Sequence, residues 1–238
     1  MSRVIDTTPD TLLGIDIFRM LDAGARGQIA RHCSASRYPA HHLVVRHEDA
    51  STDVYFVVSG RVRVTIYSRT GKEVSFRDMG AGELFGDLSA IDGRPRTANV
   101  VTLEESMLIS MRASAFKQVL MDHPPVAMMV MEQLAGLIRA LSERVVEFST
   151  LGVKNRIHAE LLRLANQSER EGDTVRIDDP PTHADLASRV STHREAVTKE
   201  LSRLEKAGII ARRKTGGIVV NDIARLRRMV EDVKEPTD

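Results

Sequence analysis

Short apolar runs separated by turn residues dominate the chain from Tyr38 to Met111. Residues 53–58 are almost continuously apolar, and residues 61–67 alternate polar and apolar side chains with a period of two. A turn is expected at residues 69–72, and glycines recur at short intervals after it. Strands this short and this regularly interrupted predict an antiparallel β-roll or jelly-roll fold.

A long helix is expected to follow the β-roll. His123-Pro124-Pro125 marks a break in the helical pattern, after which apolar residues recur at alternating spacings of three and four. This heptad seam consists of Val130, Leu134, Leu137, Leu141, Arg144, Phe148 and Leu151. The seam is longer than one small domain can cover, so it predicts a parallel homodimer through residues 127–151. A helix that packs only within its own chain is the alternative.

The C-terminal part has the pattern of a winged helix-turn-helix. Two short helices lie a few residues apart, and each is expected to begin with a capping box, Thr182 with Asp185 and Thr192 with Glu195. The apolar positions that face a shared core are Leu186, Val190, Val197 and Leu201. Residues 211–220 combine basic side chains, glycines and a short apolar run, which predicts a β-hairpin wing.

These patterns predict an α+β fold in three parts. Residues 1–115 form an N-terminal helix and the antiparallel β-roll, residues 116–151 form the long dimerisation helix, and residues 152–238 form the winged helix-turn-helix.

Charge changes this picture because it is unevenly distributed. The whole chain has a net charge of +1, but residues 182–228 carry 11 Lys and Arg against 5 Asp and Glu. This excess of cations favours a polyanionic partner for the C-terminal part. No apolar run approaches the roughly 20 residues that cross a bilayer, and residues 1–9 lack the pattern of a secretory signal. We therefore expect a cytoplasmic protein with no membrane partner.

Cys33 is the only cysteine in the chain, which excludes an internal disulfide, a thiolate-ligated iron–sulfur cluster and a cysteine zinc site. We expect Cys33 to be a small core residue on an early helix, with a redox-sensing thiol as the alternative. The sequence has no metal-ligand spacing, no paired carboxylates and no nucleophile–base arrangement. We therefore expect no metal and no enzymatic activity, and a structural or surface role for the isolated His158.

Chemistry-bearing residues are densest in residues 82–100. Gly86 precedes the carboxylate of Asp87, and Arg96 and Thr97 follow nine residues later. A helical turn after Gly86 would aim backbone N–H groups at an anion, and Arg96 would add a bidentate contact. Asp87 could accept a hydrogen bond from a sugar hydroxyl. A turn with a surface salt bridge fits the same spacing.

This segment resembles the phosphate-binding cassette of cyclic nucleotide-binding domains. The matching residues are Phe85-Gly86-Asp87-Leu88 and Pro95-Arg96-Thr97-Ala98. The resemblance implies that Asp87 holds the ribose 2′-hydroxyl and Arg96 the cyclic phosphate, while Gly86 and Leu88 supply backbone donors. Thr97 matches a hydroxyl that helps to accept guanine in cyclic GMP-dependent kinases. Glutamate, one methylene longer, is usual at the position of Asp87, so the identity of the ligand stays open. The effectors that the resemblance implies are cyclic AMP and cyclic GMP.

From Phe18 to Val233 the chain resembles the Crp/Fnr transcription regulators. In relatives that bind cyclic AMP, a Thr-Ser pair on the connecting helix contacts adenine, and Leu141 and Ser142 occupy these positions. Leucine removes one contact to the base, and Arg139, one turn earlier, is another candidate for it.

The resemblance also implies that the second helix of the helix-turn-helix enters the major groove of double-stranded DNA. Arg194 and Glu195 match an Arg-Glu pair that reads a GTGA-type half-site, since arginine donates to guanine and glutamate accepts from cytosine. Lys199 replaces an arginine of that family. The expected DNA-binding residues are His183, Thr192, His193, Arg194, Glu195, Lys199, Arg213 and Lys214.

The implied function is a homodimeric, cyclic nucleotide-responsive regulator that binds palindromic operators and activates transcription by recruiting RNA polymerase. One alternative is a Crp/Fnr-type regulator with another effector or none, including haem held by His41, His42 or His47. A second alternative is the regulatory module of a cyclic nucleotide-dependent kinase or channel.

Overall fold

The computed structural model describes residues 4–5, 7–67, 73–172, 174–213 and 216–231. The chain divides into two compact units, Met1–Leu137 and Ile138–Asp238. The three-part domain division expected from the sequence stays a prediction, as does the turn at residues 69–72, which lies outside the described residues.

The first unit contains the antiparallel β-roll that the period-two pattern predicts. Its strands are β1 (Val4–Ile5), β2 (Cys33–Tyr38), β3 (Leu43–Val45), β4 (Val54–Ser59), β5 (Val62–Tyr67), β6 (Glu73–Met79), β7 (Leu84–Phe85), β8 (Asn99–Thr102) and β9 (Ser106–Met111). They form a five-stranded sheet in the order β1-β2-β9-β4-β7 and a four-stranded sheet in the order β3-β8-β5-β6. All pairings are antiparallel among the described strands.

Short helices close the β-roll. They are α1 (Pro9–Leu13), a 3-10 turn (Asp16–Phe18), α2 (Ala23–Ala30), α3 (Asp87–Asp92) and α4 (Ala113–Asp122). Thr8 caps α1 and Asp22 caps α2, each by accepting a hydrogen bond from a backbone N–H group in the first turn. Phe56 contacts the rings of Phe18 and Phe116 in the core, with ring centroids 5.1 and 6.4 Å away.

Cys33 lies at the start of β2, so its expected position on a helix is wrong. Helix α2 has already ended at Ala30, and Cys33 pairs with Met111 of β9 in the sheet. The Sγ atom donates to the carbonyl oxygen of Ile29 at 3.4 Å, and burial raises the pKa of the thiol to about 12. Because the thiolate is the reactive form, this environment favours a structural role over redox sensing.

Helix α5 (Pro124–Thr150) is the long helix predicted after the His-Pro-Pro break. The predicted heptad seam is wrong at three positions. Val130 is 2% exposed and packs in the core of the first unit, and Leu151 lies beyond the helix end and is buried. Arg144 donates to Glu160 and to the backbone of Arg189. These three side chains are therefore used within the chain.

An exposed apolar stripe of α5 shares Leu141 and Phe148 with the predicted seam, but has Ile138 and Val145 where the seam has Leu137 and Arg144. In the second unit it consists of Ile138, Leu141, Val145 and Phe148, spaced by three, four and three residues. Ile138 and Val145 are 63% and 65% exposed. The sequence could not separate the two seams because apolar residues occupy both heptad offsets along most of the helix.

The second unit is a winged helix-turn-helix. It continues through α6 (Val153–Asn166), β10 (Glu169–Glu171), β11 (Thr174–Ile177), α7 (His183–Arg189), α8 (Arg194–Lys206), β12 (Ile210–Arg212), β13 (Ile218–Val220) and α9 (Ile223–Glu231). The strands form a sheet in the order β10-β11-β13-β12. Leu186, Val190, Val197 and Leu201 share one buried core, as the helix-turn-helix pattern predicts.

Of the two predicted capping boxes, the one at the start of α7 is confirmed and the one at the start of α8 is wrong. Thr182 and Asp185 form the predicted box at the start of α7. Helix α8 begins at Arg194 with His193 as its N-cap and with no side-chain cap, so the predicted Thr192–Glu195 box is absent. Ser191 takes a left-handed conformation with φ of 52°, which delays the start of the helix by one residue.

Among the described helices, none is long and apolar enough to cross a membrane.

Candidate functional site

Arg96 is a buried charge that is held entirely by uncharged acceptors. Its side chain is 3% exposed. Nε donates to Ser51 Oγ at 3.1 Å, Nη1 to the Gly86 carbonyl oxygen at 3.0 Å and Nη2 to the Asp53 carbonyl oxygen at 2.7 Å. Burial lowers the pKa of the guanidinium, although arginine stays protonated at neutral pH. A buried cation without a bonded carboxylate favours an anion as its missing partner.

Gly86 brings the backbone against this guanidinium. It is the N-cap of α3 and has φ of 83°, a conformation that favours glycine. A Cβ atom added here would lie 2.6 Å from Arg96 Nη1 and 2.7 Å from the Asp53 carbonyl oxygen. The predicted helical turn after Gly86 is confirmed, and its first backbone N–H groups begin at Asp87.

Asp87 and Leu88 form the first turn of α3. Burial raises the pKa of Asp87, while hydrogen bonds from the backbone N–H groups of Asp87 and Leu88 and the nearby charges of Arg77 and Arg96 act in the opposite direction. The carboxylate therefore lies within the electrostatic reach of Arg96. The side chain of Leu88 is exposed.

The loop before β4 holds Arg96 in place, and no pattern in the sequence indicates this contact. Ser51 and Asp53 contact the guanidinium from 45 and 43 residues away in the chain. The Arg96 backbone also donates to the Asp49 carbonyl oxygen and accepts from the Glu48 N–H group, both at 2.9 Å. Contacts this distant in sequence leave no periodic signal. Thr97, next to Arg96, is exposed.

Leu141 and Ser142 belong to the second unit, whereas Gly86, Asp87, Leu88, Arg96 and Thr97 belong to the first. Leu141 is part of the exposed stripe of α5. Ser142 Oγ donates to the Ile138 carbonyl oxygen of its own helix at 2.9 Å. Arg139 is also exposed.

The exposed face of α8 carries most of the residues expected to contact DNA. His193, Arg194, Glu195 and Lys199 are exposed on its first two turns, whereas Val197 faces the core. Thr192 is half-buried in the turn before the helix. This face is polar and cationic and lies at the N-terminal end of the second helix of the motif, where base contacts occur in helix-turn-helix proteins.

His183, the first residue of α7, forms a hydrogen bond with the exposed face of α8. Its Nδ1 atom lies 2.8 Å from Thr198 Oγ1, and the Thr198 hydroxyl donates to the Arg194 carbonyl oxygen at 3.0 Å. Thr182, His183, Ala184 and Arg194 line an open cleft of about 480 Å³. Sequence reasoning missed Thr198, although its position one turn after Arg194 on an exposed helix face is a usable signal.

Of the two wing residues expected to contact DNA, Arg213 and Lys214, the structure describes Arg213. β12 and β13 pair as an antiparallel hairpin, and Arg213 after β12 is exposed and donates to Asp178 Oδ1 at 3.0 Å. Lys214 lies outside the described residues. Among the described residues, no group of His, Cys, Asp and Glu side chains is arranged to hold a metal ion.

Two family models match the chain, and both agree with this geometry. The cyclic nucleotide-binding domain matches residues 35–123, and the Crp-like helix-turn-helix domain matches residues 155–229. The matches cover the cassette and the helix-turn-helix in the order described above. The chain belongs to the Crp/Fnr family. Neither matched model describes a catalytic domain.

Relatives within the Crp/Fnr family align with most of this chain. A CRP-like cAMP-activated global transcriptional regulator of Mycobacterium tuberculosis is 26% identical over 213 residues, which cover 89% of this chain and 95% of the relative. The cAMP-activated global transcriptional regulator CRP of Haemophilus influenzae is 28% identical over 184 residues, which cover 75% and 80%.

Solved structures of other Crp/Fnr members share the fold. A mutant of CooA from Carboxydothermus hydrogenoformans superposes with a TM-score of 0.79 at 17% identity and covers 96% of this chain and 98% of its own. The c-di-GMP-responsive regulator CLP of Xanthomonas campestris has a TM-score of 0.70 at 21% identity, with 83% and 98% covered. At these identities the likeness supports the fold alone.

Proposed function

We propose that this Crp/Fnr member is a cytoplasmic transcription activator that binds cyclic AMP or cyclic GMP and, as a homodimer, a palindromic operator. The observation that carries the proposal is the Arg96 guanidinium, buried against Gly86 at the start of α3 with only neutral hydrogen-bond partners. The carboxylates of Asp49, Asp53 and Asp87 act on Arg96 only through space, and a cyclic phosphate would be an anion that bonds to the guanidinium directly. The guanidinium fork and the α3 backbone would hold its oxygens.

The remainder of the nucleotide would use residues near Arg96. We propose Asp87 as the acceptor for the ribose 2′-hydroxyl. Its side chain is one methylene shorter than the glutamate that is usual at this position. Thr97 offers an exposed hydroxyl to the base, which supports cyclic GMP. The relatives that are named as cAMP-activated support cyclic AMP. We propose Leu141 and Ser142 as contacts to the base that depend on dimer formation.

The exposed stripe of α5 supports the proposed homodimer. Ile138, Leu141, Val145 and Phe148 have the alternating spacing of a parallel coiled coil and are exposed in the single chain. A second copy of the same helix would cover them. The resulting two-fold symmetry requires two half-sites one helical turn apart, and this is the basis for proposing a palindromic operator.

On the DNA side, Arg194 and Glu195 are proposed to read bases, and Lys199 an outer base. Thr192, His193, Arg213 and Lys214 are proposed to contact the phosphate backbone, which positions the protein without reading sequence. Recruitment of RNA polymerase by the bound dimer is the proposed route to activation.

Arg194→Ala is expected to relax discrimination at one base. We expect the preference for a duplex with inverted GTGA half-sites, over the same duplex with the half-site guanine replaced, to fall by about 1–3 kcal/mol. Fluorescence anisotropy with both duplexes measures this loss. The matched control is Lys206→Ala, which removes an exposed cation from the last turn of the same helix. Equal weakening on both duplexes by Arg194→Ala would instead assign Arg194 to a phosphate.

A further inference from the structure

The hydrogen bonds around His183 favour one of the two neutral tautomers of its ring. The Thr198 hydroxyl has one hydrogen and donates it to the Arg194 carbonyl oxygen at 3.0 Å. We therefore assign His183 Nδ1, 2.8 Å from the same hydroxyl oxygen, as the donor in that contact. The neutral ring consequently keeps its proton on Nδ1 and leaves Nε2 as a bare acceptor, which becomes a donor only when the ring takes up a second proton.

The surroundings of His183 keep the ring neutral in the protein alone. The charged groups that act on it among the described residues are Arg212 from β12 and Arg194 from α8, both cationic. Partial burial and these two cations lower the pKa of His183. The hydrogen-bond partner of His183 on α8 is Thr198, which is uncharged. The cleft beside the ring therefore favours an anion, which would offset both arginines and accept a hydrogen bond from a protonated Nε2.

We propose that a DNA backbone phosphate occupies the cleft lined by Thr182, His183, Ala184 and Arg194, and that His183 takes up one proton at Nε2 as the phosphate binds. The proton comes from the solution, and the new N–H group donates to a phosphate oxygen. This inference rests on the proposed DNA-binding function and adds proton uptake at one named atom. A phosphodiester stays singly charged across the neutral range, so only the imidazole titrates.

DNA affinity is expected to fall as pH rises, because the protonated ring of His183 is the form that binds the phosphate. The pKa of His183 is lowered in the free protein and is raised by the phosphate in the complex. DNA affinity is therefore highest below the pKa of the free protein and falls as pH rises through the pKa of the complex. Between the two values, Kd rises up to about tenfold per pH unit. The contact is to the backbone, so a duplex of random sequence shows the same dependence as one with GTGA half-sites.

The test measures Kd by fluorescence anisotropy at about pH 6 and about pH 8, at several salt concentrations and with cyclic nucleotide present. Wild type should bind both duplexes more weakly at the higher pH. The slope of log Kd against log salt should also differ by about 0.9 between the two pH values, because one more counterion is released when His183 is charged. A residue with a purely structural role would not change the salt slope in this way.

Three variants separate His183 from other sources of pH dependence. His183→Arg, charged at both pH values, should retain tight binding at the higher pH. His183→Gln should bind with the weaker affinity at both. His32→Gln, which removes an exposed histidine of the first unit, should keep the wild-type pH dependence.

Two results overturn the inference while the proposed function stands: DNA binding by wild type that does not change with pH, or a pH dependence that survives in His183→Gln. If wild type binds no duplex at either pH, the proposed function and this inference both fail.

Discussion

Arg96→Ala is expected to lower the affinity for cyclic AMP and cyclic GMP by about 100-fold. The substitution removes the only buried cation that touches Gly86 at the start of α3 among the described residues. A bidentate, charge-assisted contact to a phosphate is worth about 3 kcal/mol, which corresponds to this change in Kd. Calorimetric titration of the full chain with each nucleotide measures it.

Two further variants make this titration specific. Arg94→Ala removes an arginine two residues away whose side chain is 84% exposed, and it should bind as wild type does. Arg96→Lys keeps a charge but loses the fork that reaches Ser51, Gly86 and Asp53 together, so its affinity should also drop. Equal nucleotide binding by wild type and Arg96→Ala would show that the nucleotide site lies elsewhere.

Glu160→Gln is expected to destabilise the second unit by roughly 3 kcal/mol. Glu160 lies on α6, is 2% exposed and accepts hydrogen bonds from Arg144 of α5, Arg163 of α6 and Arg189 of α7. Glutamine removes the one charge that all three arginines share in a buried site, although Arg163 keeps its ion pair with Glu147 at 3.0 Å. Since about 1 kcal/mol shifts the melting temperature of a domain this size by roughly 4–8 °C, thermal unfolding followed by circular dichroism should show the loss clearly.

The control for Glu160 is Glu205→Gln. Glu205 forms a half-exposed ion pair with Arg212 at 3.6 Å, and such surface pairs contribute at most about 1 kcal/mol. The two variants remove the same charge from the same unit and differ in burial. Similar melting temperatures for both would contradict the role assigned to Glu160.

The sequence predicts the fold well where structure follows from local periodicity. The alternation in residues 61–67 corresponds to β5, and the Thr182–Asp185 pair corresponds to the start of α7. Both signals arise from neighbouring residues, so no knowledge of the three-dimensional arrangement is needed. The same holds for the turn of helix after Gly86, which the glycine and the following carboxylate indicate.

The predictions of the α5 seam and of the α8 capping box were wrong because the same sequence pattern fits two local structures. Residues 130 and 131, and 137 and 138, are apolar pairs, so the heptad offset of α5 depends on which member packs in the core. Val130 does so, and Met131 is left exposed. At Thr192 the capping motif is present in the sequence, but the left-handed conformation of Ser191 moves the helix start beyond it.

Contacts between distant residues could not be predicted at all. The bonds of Arg96 to Ser51 and Asp53, and of Glu160 to Arg189, connect segments that the chain brings together only on folding. His158 shows the same limit. It is buried as expected for a structural residue, but its partner Glu200, 2.6 Å away, lies on a different helix.

The most direct test of the account is the affinity of the full-length wild-type chain for a duplex with inverted GTGA half-sites, measured with and without saturating cyclic AMP or cyclic GMP. Coupling between two sites of this kind is typically 1–3 kcal/mol. We predict that at least one nucleotide tightens binding by about 5–150-fold. An affinity for DNA that is the same with either nucleotide and with none would contradict control by an anion at Arg96.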